Sequence, residues 1–137
     1  MTVNQTKKIF QPIALDVEQV GKIVLDAAYK VHTVLGAGLL ESVYQKAMVH
    51  VLRKNGALVE TEVALPIRFE EEILESGLRL DMCVNKCVII ELKSVESLNP
   101  VYQPQLMTYL RLSGIRLGFL INFNVPHLKN GILRMVV

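Results

Sequence analysis

The chain has 137 residues, a length typical of one domain that buries a core without disulfides or structural metal. Apolar residues make up 51% of it and charged residues 20%, which excludes an intrinsically disordered protein. The formal net charge of +2 is too small to argue by itself for a nucleic-acid partner.

Residues 1–15 are predicted to form a partly flexible N-terminal arm, and residues 16–137 a single domain. No apolar run has the length of a signal peptide core or of a membrane span. Cys83 and Cys87 are too few for a secreted disulfide framework, so we expect free thiols in a reducing compartment. The sequence therefore predicts a cytoplasmic protein with no membrane partner.

Two helices are predicted in the N-terminal third of the chain. Asp16 is the expected N-cap of the first, whose apolar residues recur at helical spacing as far as Leu35. The second helix is predicted from Leu39 to Lys54, before an Asn55-Gly56 pair that favours a left-handed stop.

The spacing of apolar residues then changes to every second position, which predicts an antiparallel meander of three strands. These strands are expected at residues 58–69, 73–84 and 88–93. Pro66 and the Ser76-Gly77 pair suggest bends within the first two.

A crossover helix is predicted to begin at Asn99-Pro100 and to continue to about Ser113. It should return a fourth strand, residues 116–122, parallel to the third, and a fifth follows at 132–136. The predicted fold class is therefore α/β (α+β), with a mixed sheet flanked by helices.

Charged side chains interrupt the apolar strands between residues 80 and 93, where desolvation makes them costly. Glu91 and Lys93 are two positions apart, so they share one face of the third strand. Asp81 lies in the preceding strand and is the natural partner of this pair.

The hairpin between the two strands decides whether Asp81 reaches the same face. A two-residue loop, 85–86, would place Asp81 opposite Ile90 and on the wrong face. A three-residue loop, 85–87, or a bulge would place Asp81 opposite Glu91. An acidic site therefore requires an odd offset in this hairpin.

With that offset, two carboxylates lie about 5 Å apart at Cβ, and a divalent cation would relieve their repulsion. Oxygen ligands suit Mg²⁺ or Mn²⁺, which activate water for attack on a phosphodiester. Lys93 would orient that water or stabilise the transition state. The alternative is a partly buried ion pair between Asp81 and Lys93, with Glu91 reaching solvent.

Four blocks of the sequence carry motifs. Asp81 and the run 91–93, Glu-Leu-Lys, have the form D-x(n)-E-x-K, and residues 38–44 have the form G-x-x-E-x-x-Y. Together with segments 103–110 and 118–123, these blocks resemble the GxxExxY protein family of the PD-(D/E)XK nuclease superfamily. The proline that precedes the aspartate in the superfamily's name is replaced here by leucine.

This resemblance implies a restriction-endonuclease-like core: a helix, a three-stranded antiparallel meander, a crossover helix and a strand. It implies Mg²⁺ or Mn²⁺ as cofactor and nucleic acid as substrate, DNA more than RNA, with a homodimer as a possible assembly. The site residues that it implies are the metal ligands Asp81 and Glu91, the Leu92 main-chain carbonyl, the catalytic Lys93, the helical Glu41 and the nearby Gln105.

Several alternatives stay open at this point. Glu41 is equally well explained as a first-turn carboxylate favoured by the helix dipole, and Gln105 as a surface amide. From Ser97 onward the chain has basic but no acidic residues, which suggests either a phosphate-binding surface or scattered charges. A non-catalytic nucleic-acid-binding or protein-interaction module on the same fold is the alternative function, since no insertion is present to grip a substrate.

Overall fold

The computed structural model describes residues 11–137. The flexibility predicted for the N-terminal arm therefore concerns residues that lie largely outside the described part of the chain. Of the arm, residues 11–15 are described: residues 11–14 are not helical, and Leu15 is the first residue of α1.

Helices and strands follow one another nearly in the predicted order. The elements are α1 (Leu15–Leu35), α2 (Glu41–Lys54), β1 (Val59–Ala64), β2 (Ile67–Phe69), β3 (Glu72–Leu74), β4 (Arg79–Val84), β5 (Val88–Lys93), α3 (Tyr102–Ser113), β6 (Leu117–Asn122), a 3₁₀ helix (Leu128–Gly131) and β7 (Ile132–Val136).

The main sheet has five strands in the order β1-β4-β5-β6-β7. β1, β4 and β5 pair antiparallel, which confirms the predicted meander. β6 returns parallel to β5 after α3, and β7 pairs antiparallel with β6, both as predicted. The result is a mixed sheet with helices on its two faces.

The two faces of the sheet carry separate apolar clusters. α1 and α2 pack on one face, where Tyr44, Met48 and Leu52 of α2 contact the larger cluster. α3 packs on the opposite face through Leu106 and Leu110. Each helix thus buries one apolar stripe against the sheet.

Two of the predicted strands were wrong in extent. The strand predicted over 58–69 is divided into β1 and β2, and the one over 73–84 into β3 and β4. β2 and β3 form a separate two-stranded hairpin. Pro66 has no N–H to donate to a ladder, and Gly77 adopts a φ of 70°, so the main sheet ends at these positions.

The N-cap assigned to Asp16 was also wrong. α1 begins at Leu15, and the cap position is Ala14, two residues before Asp16, with no side-chain capping bond. Asp16 instead lies in the first turn, where its charge is favourable to the helix dipole.

The β4–β5 hairpin has the odd offset that an acidic site requires. Val84 pairs with Val88, so three residues separate the strands. Asn85 and Lys86 both adopt left-handed conformations, with φ of 49° and 56°. The Asn85 side chain accepts a hydrogen bond from the Leu58 N–H at 2.8 Å, which holds this unusual turn against the chain entering β1. The predicted register is confirmed.

Candidate active site

The β4–β5 ladder ends just before the acidic residues. Its last backbone pair is Met82 with Ile90. Beyond it, the Asp81 N–H donates to Glu91 Oε1 at 3.1 Å, and the Leu92 N–H donates to Asp81 Oδ2 at 2.9 Å. Side-chain oxygens therefore replace main-chain carbonyls as the acceptors, and both carboxyl groups are held between the separating strands.

β1 is distorted at the same level of the sheet. Glu62 adopts a φ of 51° in the middle of the strand, although the pairing of β1 with β4 has the same register on both sides of it. Val59 packs in the cluster under α1 and α2, whereas Val63 packs in the cluster under α3. The strand therefore changes the face it presents at Glu62, beside Asp81.

Burial makes the acidic pair hold a proton. Desolvation, followed by the negative charge of Asp81, raises the pKa of Glu91 from 4.5 to about 8. Burial also raises the pKa of Asp81, opposed by its hydrogen bonds to Leu92 and Glu91. With a pKa of about 8, Glu91 is the partner that holds a proton at neutral pH. A nearby positive charge would favour the ionised form of both carboxyl groups.

Lys93 does not neutralise this pair directly. Among the described residues, the ion pairs join Lys86 to Glu60 and Arg134 to Glu18, and none includes Lys93. The Lys93 Nζ instead lies 4.4 Å from the centroid of the Tyr102 ring, at the start of α3.

The alternative of a structural ion pair is therefore wrong. No ion pair joins Asp81 to Lys93 within residues 11–137, and Glu91 is only 7% exposed rather than extended into solvent. The charge of Lys93 nevertheless lowers the pKa of both carboxyl groups, which places the amine in their field.

Glu41 reaches the site because the loop before α2 is fastened to the core. The fully buried Tyr44 donates its hydroxyl to the Gly36 carbonyl at 2.6 Å and accepts from the Leu39 N–H at 3.2 Å. The Ser94 hydroxyl, just after β5, donates to the Leu39 carbonyl at 2.6 Å. These bonds set the first turn of α2 beside the end of β5.

A cavity of about 280 Å³ opens beside Asp81 between α2, β1 and β4, and neither Glu91 nor Lys93 is among the residues that line it. Its lining residues are Glu41, Ser42, Gln45, Glu62, Asp81 and Leu92. Partial burial raises the pKa of Glu41, and Lys93, Asp81 and Glu62 all act on it through their charges. Glu41 therefore belongs to the same electrostatic unit as the pair.

The comparisons with known proteins identify the superfamily of the chain. The sequence profile described as the PD-(D/E)XK nuclease superfamily matches residues 18–135. The chain belongs to the PD-(D/E)XK nuclease superfamily. No curated protein and no solved structure matches the chain.

The mixed α+β fold is consistent with the restriction-endonuclease-like architecture of this superfamily. PD-(D/E)XK proteins are typically nucleases, so membership implies phosphodiester chemistry on nucleic acid with a divalent metal. Among the described residues, no helix combines the length and apolarity needed to cross a bilayer.

The donor set partly fits the divalent metal that PD-(D/E)XK nucleases use. Two adjacent carboxyl groups with raised pKa values, beside an open cavity, favour a hard cation that takes oxygen ligands. Within residues 11–137, however, no three acidic, histidine or cysteine side chains are grouped as a ready metal centre. Glu41 would have to turn toward the pair to complete one.

Gln105 lies near the site without contacting the carboxyl groups. Its Nε2 donates to the Tyr109 hydroxyl at 2.8 Å within α3. Burial raises the pKa of Tyr109, and the charges of Glu91 and Asp81 raise it further. Gln105 therefore bonds to a tyrosine whose pKa is affected by the charges of the acidic pair.

Sequence reasoning missed three residues that line the cavity, Ser42, Gln45 and Glu62. The Gln45 Nε2 donates to the Asp81 carbonyl at 3.0 Å and to Glu62 Oε1 at 3.1 Å, which ties α2 to both distorted strands. Gln45 follows Glu41 by four positions, so helical spacing could have placed it on the same face. The left-handed conformation of Glu62 has no signal in the sequence.

The basic C-terminal third does not form one free surface. Arg134 pairs with Glu18 of α1, and its Nη1 donates to Oε2 at 3.0 Å. Arg116 donates to the main-chain carbonyls of Gln11, Pro12 and Val137. The Arg111 Nη2 donates to the Thr108 hydroxyl at 3.2 Å. Arg111, Arg116 and Arg134, three of the four basic residues after Ser97, are therefore bonded within the chain. Cys83 and Cys87 are free thiols, as predicted.

Proposed function

We propose that this PD-(D/E)XK protein is a metal-dependent nuclease that hydrolyses phosphodiester bonds, with Mg²⁺ or Mn²⁺ as its cation. The observation that carries the proposal is the buried Asp81–Glu91 pair, held by main-chain N–H groups at 2.9 and 3.1 Å where the ladder opens. Burying two carboxyl groups without a cation is costly, and a binding site explains why the fold tolerates them.

Each residue has a distinct part in this proposal. Asp81, Glu91 and the Leu92 main-chain carbonyl would hold the cation, with Glu41 contributing from α2. When bound, the cation polarises the phosphodiester and lowers the pKa of a water molecule. Lys93 orients the attacking water and stabilises negative charge on the phosphate. Gln105 supports the site from α3.

The finer features of the proposal rest on the resemblance in the sequence. Residues 38–44 favour membership of the GxxExxY family within the superfamily. DNA is the favoured substrate, and the cytoplasm is the expected location. Residues 16–137 form one domain. A homodimer is the assembly that would cut two strands. These features remain predictions.

A cleavage assay tests the proposal. Single-stranded and duplex DNA and RNA are incubated with the protein in Mn²⁺, in Mg²⁺ and in EDTA. The wild type should cleave at least one substrate in a metal-dependent way, and Asp81→Asn and Lys93→Ala should abolish cleavage. Lys22→Ala, at an exposed position of α1, is the matched control. Cleavage that survives both site changes would contradict the proposal.

The second candidate is a non-catalytic nucleic-acid-binding or protein-interaction module. The observation that favours it is the lack, within residues 11–137, of three potential ligands already grouped for a metal. This candidate predicts salt-dependent binding of nucleic acid, or binding of a protein partner, with no turnover in any metal. The assay above separates the two functions.

A further inference from the structure

A groove continues from the acidic cavity along α2. A second cavity, of about 330 Å³, is lined by Gln45, Lys46, Val49, Arg53 and Thr61. It shares Gln45 with the acidic cavity, and the adjacent β1 residues Thr61 and Glu62 line one cavity each. The two cavities are therefore neighbouring sections of one groove between α2 and β1, and they meet at the Gln45 side chain, which bonds across the groove to Glu62 at 3.1 Å. We call it the α2–β1 groove.

The charge along the α2–β1 groove changes sign. Glu41, Glu62 and Asp81 make its first section acidic, whereas Lys46 and Arg53 make its second section basic. Lys46 and Arg53 are seven positions apart, two helical turns, so they lie on one stripe of α2 about 10 Å apart along the axis. Glu60, the acidic neighbour on β1, is paired with Lys86 at 3.5 Å.

Both cations have donors available to the groove. Lys46 is exposed, and among the described residues it takes part in no ion pair. Arg53 Nη2 donates to the Val59 carbonyl at 2.9 Å, which fixes the side chain while most of its five N–H donors stay free for another acceptor. A fixed guanidinium and a nearby ammonium are the groups that proteins use for phosphate.

We propose that the α2–β1 groove is the path of the substrate strand, with Lys46 and Arg53 binding phosphates that flank the one at the acidic pair. This inference rests on the proposed function, because it takes the acidic section to be the reaction site. The occupant is a nucleic-acid backbone. Its evenly spaced phosphates can contact the basic section of the groove and also reach a metal ion bound in the acidic section. From Glu41 to Arg53 the groove follows α2 for about 18 Å, enough for several consecutive phosphates.

Binding of a fluorescein-labelled single-stranded DNA oligonucleotide tests the groove, by anisotropy in EDTA over a series of KCl concentrations. Lys46→Ala removes one phosphate contact, so the slope of log K against log salt should fall in magnitude by about 0.7. Lys46→Arg keeps the charge and should keep the slope. Lys22→Ala removes an exposed helical lysine outside the groove and should leave the slope at its wild-type value.

Steady-state cleavage in Mn²⁺ adds a second readout. Lys46→Ala should raise KM by a larger factor than it lowers kcat, since the contact holds a phosphate away from the reacting one. Equal salt slopes for Lys46→Ala and wild type would overturn the proposal that the groove binds the substrate strand. This holds even if the wild type cleaves DNA and the nuclease proposal stands. A lowered slope with no turnover in any metal would instead overturn the nuclease proposal and leave the groove as a binding surface.

Discussion

The main-chain N–H of Asp81 donates to the carboxyl group of Glu91 across two strands that have stopped pairing through their backbones. The reciprocal bond, from the Leu92 N–H to Asp81, completes the exchange. Because the backbone ladder stops here, two acidic side chains enter the sheet and accept hydrogen bonds from main-chain N–H groups. The fold thus places two carboxyl groups, largely removed from water, at the end of β5.

The raised pKa of Glu91 predicts a pH-dependent stability in the metal-free protein. Because its folded-state pKa of about 8 lies above its ordinary 4.5, the folded state binds more protons than the unfolded state between these values. The free energy of unfolding should therefore fall as pH rises through this window, by at most about 1.4 kcal/mol per pH unit from this group.

Urea denaturation over this pH range measures the effect. Glu91→Gln removes the titrating group, so the difference between wild type and variant isolates its contribution from those of the other carboxylates. A difference that stays constant with pH would show that Glu91 titrates in the folded protein as it does in the unfolded chain.

Metal binding should compete with the same proton. The affinity for Mn²⁺ should rise with pH until about pH 8, and binding at neutral pH should release a proton. Calorimetry in two buffers of different ionisation enthalpy measures this release. Binding that is independent of pH, or equally strong in Asp81→Asn, would mean that Mn²⁺ binds elsewhere.

Tyr44 is predicted to matter through its hydroxyl group. Tyr44→Phe keeps the ring stacked on Phe123, whose centroid is 4.5 Å away, but leaves the Leu39 N–H and the Gly36 carbonyl without their partner. The free energy of unfolding should fall by about 1–3 kcal/mol. Tyr29→Phe, at a side chain 43% exposed, is the control and should change it by less than about 0.5 kcal/mol. Equal losses would contradict the role given to the hydroxyl.

Tyr102 is predicted to hold Lys93 through the face of its ring. Tyr102→Phe keeps an aromatic face 4.4 Å from the amine, whereas Tyr102→Leu removes it. A cation–π contact of about 0.5–1 kcal/mol corresponds to about a two- to fivefold loss of kcat in the leucine variant, with the phenylalanine variant close to wild type. Cleavage rates in Mn²⁺ measure this, and equal losses in both variants would exclude the contact.

Much of the fold follows from local patterns in the sequence. The switch from helical to alternating spacing after Asn55-Gly56 separates the helices from the meander, and the Val84–Val88 register follows from requiring Asp81 and Glu91 to meet. The strand breaks were missed because Pro66 and Gly77 were taken as bends within strands. They instead mark where the main sheet ends and the small hairpin begins.

The acidic pair was accessible to prediction because strand periodicity determines which residues share a face. The distortion of β1 and the opening of the β4–β5 ladder around the pair could not be predicted. Gln45 bonds to Glu62 and Asp81, residues far from it in the chain, and Glu62 adopts a left-handed conformation within a strand. Alternation along a single strand carries no information about where a ladder opens.

Diffraction from a crystal of the protein soaked in Mn²⁺, recorded at a wavelength sensitive to manganese, tests the central claim most directly. We expect one anomalous peak in contact with both the Asp81 and Glu91 carboxylates, within reach of Lys93 and absent from Asp81→Asn crystals. Full occupancy of Mn²⁺ at a place that touches neither carboxylate, or no bound Mn²⁺ at saturating concentration, would contradict it.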